Sequence, residues 1–146
     1  MPLLNYSTTI EAVKTLGQIQ ENLASHGAKA IITEYDDDGM IAALSFEVKT
    51  SHGELSFRLP VHPEAVLRIL ENQGVPSRFA NESQAIRVAW RIVKNWVEAQ
   101  MALLETAMVR MEEVFLPYLI TSGGHTLYER MLSTQFQLPE GRKEER

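Results

Sequence analysis

The sequence contains no cysteine. Disulfides, thiolate zinc sites, iron–sulfur clusters and cysteine nucleophiles are therefore excluded, and the composition accords with a reducing cytosol. Long hydrophobic runs are missing as well. The longest, Met40–Leu44 and Val114–Ile120, fall far short of the ~20 residues that span a bilayer. Met1-Pro2-Leu3-Leu4 offers no basic stretch followed by an apolar one, so no signal peptide is expected. Glycine (8) and proline (6) are too few among 146 residues for a collagen-like or low-complexity chain. What is present is 45% apolar and 23% charged. A chain of this length buries roughly 68–70% of its unfolded surface, so one core suffices without a metal or covalent staple. The expected organisation is a single α+β domain over residues 1–138 and a flexible charged tail over 139–146.

Charge is unevenly distributed. The formal net charge is −5, yet residues 58–94 carry Arg58, Arg68, Arg78, Arg87, Arg91 and Lys94 against Glu64, Glu71 and Glu82. This segregated basic segment can attract a phosphate-bearing ligand at close range, because screening confines the field of distant acids. Overall acidity argues against duplex DNA as the main partner.

Residues 4–13 are rich in Tyr, Thr and Ile and read as an opening strand. Thr15 and Gln18 have capping-box spacing, and Leu16, Ile19 and Leu23 share a face. Gly27 can close the turn, so a helix is expected over 16–26. Asp36-Asp37-Asp38-Gly39 and Ser51-His52-Gly53 separate three β-type runs, 28–35, 40–50 and 54–60, which gives an antiparallel meander. Pro63 suits the first position of a short helix that Gly74 ends. Asn81 with Gln84 opens another helix, and no Gly or Pro interrupts 82–116, which predicts one helix of about 35 residues. At 1.5 Å per residue it would be ~50 Å long, longer than the ~40 Å diameter of a compact chain of this size. Its apolar residues form two neighbouring stripes, one through Ile86, Trp90, Val93, Val97, Met101, Met108 and Phe115 and one through Val88, Ile92, Trp96 and Leu103. Burial on two sides, hence a homo-oligomer, is the expectation. Thr126–Leu132 reads as a last helical segment.

Motifs for chemistry are few. The sequence lacks G-x-S-x-G, a P-loop, G-x-G-x-x-G after a strand, and H-E-x-x-H. No cofactor and no metal are implied. His26, His52, His62 and His125 lie beside Gly or Pro in predicted turns. Arg87, Arg91 and Lys94, at i, i+4 and i+7, lie on one helix face, where guanidinium forks match phosphate. Trp90 borders this strip as a stacking platform or as plain core, and Arg58 or Arg78 could close the site from outside the helix. Alternatively, the arginines bond carboxylates of a neighbouring subunit.

Several stretches, among them Phe57-Arg58-Leu59-Pro60, Arg87-Val88-Ala89-Trp90-Arg91, Trp96-Val97-Glu98-Ala99-Gln100-Met101 and Phe115-Leu116-Pro117-Tyr118, resemble a family of small phage and prophage proteins of unassigned activity. The resemblance spans about residues 5–140 and implies a viral protein in the host cytosol, with no catalytic residues to carry over. By analogy with that setting, the expected function is non-enzymatic: sequestration of a small phosphate-bearing ligand such as a nucleotide immune signal, an anti-defence sponge. The alternatives are a single-stranded nucleic-acid-binding accessory protein that stacks bases on Trp90 or Tyr118, and an adaptor that binds a host protein through Met101, Met108 and Met111.

Overall fold

Residues 2–138 are described in a computed structural model of the chain; the expected tail over 139–146 lies outside them. Helix α1 (Ala12–Ser25) leads into strands β1 (Ala28–Tyr35), β2 (Ile41–Thr50) and β3 (Gly53–Arg58). Helices α2 (Pro63–Asn72), α3 (Glu82–Glu105), α4 (Met111–Val114) and α5 (Leu127–Ser133) follow. The α+β class and the antiparallel meander, in the order β1-β2-β3, are as expected. At the first turn Asp36 Oδ1 accepts from the backbone of Asp38 and Met40, both at 2.9 Å, while Gly39 takes φ 78°. A side chain would resist that angle.

No strand forms over residues 4–13. Turns occupy 4–7, and Asn5 has φ 63°. The segment pairs with neither edge of the sheet. Its carbonyls are satisfied from α3 instead, where the buried Gln84 donates through Nε2 to Tyr6 O and Thr8 O, each at 2.9 Å. With that segment turned, α1 starts at Ala12, and Thr15 lies buried inside the helix rather than capping it.

The single long helix is also corrected. α3 has 24 residues, about 36 Å, and no longer outreaches the domain. It ends because Thr106 Oγ1 bonds back to Leu103 O at 2.5 Å and Ala107 adopts φ 61°. Glu113 then accepts from the Arg110 backbone at the start of α4. The overhang that implied self-association is absent, so oligomerisation has no support from this helix.

One core joins the layers. Leu16, Ile19 and Leu23 of α1 and Trp90, Val93, Val97 and Met101 of α3 are buried with Leu44, Phe46 and Val48 of β2 and Phe57 of β3. Phe115 closes it from below, meeting Phe46 edge-on at 5.2 Å and Trp96 at 5.4 Å between ring centroids. Among the described residues no helix is long and apolar enough to cross a membrane.

Candidate functional site

The basic strip of α3 lies along the seam with α1 and is already engaged. Arg87 Nε donates to Gln84 Oε1 at 3.0 Å, and its Nη1 lies 3.8 Å from Glu11 Oε1. Arg91 Nη1 donates to Gln18 Oε1 at 2.6 Å, and Lys94 pairs with Glu98 one turn on. Trp90 is completely buried. It is core and no stacking platform. Met101 is buried as well, which removes it from an exposed methionine face. Arg78 stacks over Phe79, its guanidinium carbon 4.7 Å from the ring centroid. Of the strip, Lys94 borders a cleft of about 490 Å³ whose other charged groups are Glu21, Glu98, Glu105 and His26. The excess there is acidic, which disfavours phosphate.

His26, the C-cap of α1, clamps that cleft to the end of α3. Its Nδ1 lies 2.7 Å from Asn22 O and its Nε2 2.8 Å from Glu105 Oε1. Both partners accept, so both ring nitrogens must donate. The protonated ring is the form these contacts hold, and the pKa is raised, first by the Asn22 carbonyl and then by Glu105. A raised folded-state pKa gives stability that is complete below about pH 6.5 and is lost as pH rises through the folded value. Melting curves from about pH 5.5 to 9 should therefore show His26→Ala less stable than wild type on the acid side by about 1 kcal/mol or less, since Glu105 is exposed. The gap should close at alkaline pH. A gap independent of pH would remove the clamp.

Arg58 stands apart from the strip. Strand alternation sends Phe57 into the core and its neighbour Arg58 to the opposite face, and Pro60 ends the ladder. A second wall arrives from far along the chain. Leu119 bridges to Phe57, Ile120 N donates to Ser56 O at 2.8 Å, and Arg58 Nη1 donates to Gly124 O at 3.1 Å. Thr126 then caps α5. Its hydroxyl accepts from Glu129 N, while Glu129 Oε1 accepts from Thr126 N at 2.8 Å. These bonds, with the nearby charges of His125 and Arg58, hold the Glu129 carboxyl below its ordinary range. Between the walls opens a cleft of about 590 Å³ lined by Arg58, His62, Tyr118, Tyr128 and Glu129, with Pro60 and Pro117 at its sides. It offers a guanidinium, an imidazole, two phenol rings and one carboxylate.

No protein-family model, curated protein or solved structure matches this chain. The geometry alone therefore selects the site. Of the six residues expected from the sequence, only Arg58 lies in this cleft. Tyr118, expected as a stacking ring, joins it. His62, Tyr128 and Glu129 were not anticipated. The Thr126-x-x-Glu129 spacing is a readable capping box, but nothing local says that its helix faces β3.

Proposed function

We propose that this chain is a non-enzymatic binding protein for a small ligand that joins an anionic group to a planar ring, held in the cleft around Arg58. The observation that carries this reading is the Arg58 guanidinium, which donates to the Gly124 carbonyl at the edge of a cavity that also presents Tyr118 and Tyr128. A guanidinium held in place loses little freedom when it binds phosphate, and aromatic rings accept a planar group by stacking. Sequestration of a nucleotide signal by a phage protein in the host cytosol fits this chemistry, with the ligand site moved from α3 to β3.

Calorimetry against cyclic nucleotides, mononucleotides and ADP-ribose derivatives tests it. Arg58→Gln should weaken binding at least about tenfold, or ~1.4 kcal/mol, because a charge-assisted bond is lost. The Arg87→Gln/Arg91→Gln double variant should bind as wild type does. A panel that yields no binder, or a binder indifferent to Arg58→Gln, overturns the reading.

A further inference from the structure

Arg58, Leu59 and His62 border a second cavity of about 470 Å³ as well as the first. The two cavities thus adjoin along the segment between β3 and α2. This segment is firmly seated: Leu59 and Val61 are buried, and Leu59 N donates to Leu44 O at 3.0 Å. Its polar groups, Arg58 and His62, line both cavities; Arg58 donates to Gly124 O, and His62 Nδ1 lies 3.6 Å from Glu64 Oε1. The second cavity has an apolar floor that includes Ile41, Leu67 and Ile86, and a rim carrying Asp36, Glu64 and Glu82.

We infer that the ligand has two ring-bearing lobes joined by a single phosphodiester, with the phosphate at Arg58 and His62 and one ring in each cavity. The inference rests on the binding function proposed above and narrows its ligand to a dinucleotide. Three features carry it. The Arg58 guanidinium and the His62 imidazole line both cavities, and a phosphate held by them would bridge the two. Each cavity supplies surface for a ring, phenolic in the first and aliphatic in the second. Each also supplies carboxylate, Glu129 in one and Asp36, Glu64 and Glu82 in the other, and carboxylates accept hydrogen bonds from the exocyclic amino groups of adenine, cytosine or guanine. The same carboxylates reject a polyphosphate tail, which would have to run from Arg58 into an acidic cavity.

The test compares the dinucleoside monophosphates ApA, CpC, GpG and UpU with their mononucleotides, on the full chain, by calorimetry. At least one amino-bearing dinucleotide should bind tenfold or more tightly than its mononucleotide, and UpU, which lacks the amino group, should bind most weakly. Replacing the bridging phosphate by a neutral methylphosphonate should remove the advantage. Ala42→Phe, which fills the second cavity from an exposed position on β2, should bring dinucleotide affinity down to that of the mononucleotide while the mononucleotide still binds. If a panel ligand binds through Arg58 but no dinucleotide exceeds its mononucleotide, or Ala42→Phe changes nothing, the two-lobed ligand is wrong and the binding function stands. If no ligand binds, both fall. Affinity that keeps rising from two to six adenylates with a steep salt dependence assigns the groove to a strand instead and overturns the dinucleotide.

Discussion

Phe115→Ala should lower the stability of this protein by about 3–5 kcal/mol, the cost of emptying a fully packed aromatic site. Phe115 has no exposed surface and lies against Phe46, Phe57 and Trp96, with ring centroids 5.2, 6.1 and 5.4 Å away. These partners belong to three different elements, β2, β3 and α3, so no single element can relax to fill the void. Against a total of about 5–15 kcal/mol for a domain, the loss is large. Urea denaturation measures it as a fall in midpoint with an unchanged slope. Phe115→Leu, which keeps most of the volume, should cost under about 1.5 kcal/mol. Equal losses for the two variants would show that the ring edges, not the packed volume, carry the effect. The consequence reaches the cleft, because Phe115 anchors the turn that carries Pro117 and Tyr118.

Gln84→Ala should cost about 2–3 kcal/mol, an unusual figure for a glutamine. The side chain is 3% exposed and makes three bonds, donating to Tyr6 O and Thr8 O and accepting from Arg87 Nε. Its removal leaves two carbonyls and a guanidinium N–H without a partner, each near a closed interior. Gln84→Glu separates the roles. A carboxylate still accepts from Arg87 but cannot donate to the carbonyls, so it should be no more stable than the alanine variant. Limited proteolysis should then cut within residues 3–10 before the rest of the chain. An undisturbed N-terminal segment in both variants would show that the Tyr6–Phe79 contact and the bond from Leu3 N to Gln73 Oε1 suffice to hold it.

Turn and cap chemistry is local, and the sequence declares it. Asp36–Gly39 and Gly53 place the meander. Asn81 caps α3 as its spacing predicts, accepting from Gln84 N at 2.9 Å, and Pro63 opens α2. Where tertiary contacts decide, the same rules mislead. Residues 106–116 contain no helix breaker, yet the helix stops at Glu105, where Thr106 bonds back to Leu103 O and Ala107 turns the chain, and Phe115 beyond that turn is buried in the core. The β-prone residues near the N-terminus form no strand because their carbonyls at Tyr6 and Thr8 are taken by Gln84 of α3 rather than by a strand. The cleft shows the same limit: Arg58 is visible as a cation at a strand end, but Tyr118, Tyr128 and Glu129 come from a part of the chain some 60 residues away. Periodicity marked the α3 cations as a solvent-facing strip, and only the packing of α1 against α3 reveals that Gln18 and Glu11 already answer them.

No residue of α5 is buried, although its N-cap Thr126 is. The helix leans on the body through that cap, the bridge from Ile120 to Thr126 and the Arg58–Gly124 bond. Detaching it breaks few contacts and exposes little apolar surface, so α5 belongs to the least stable part of the fold. The two walls of the cleft are therefore held on different terms: β3 is paired to β2 along its length with Phe57 in the core, whereas no residue of α5 is buried. Entry to the cleft is thus kinetically separate from global stability, and a ligand that touches both walls ties its own escape rate to the fraying of one short helix.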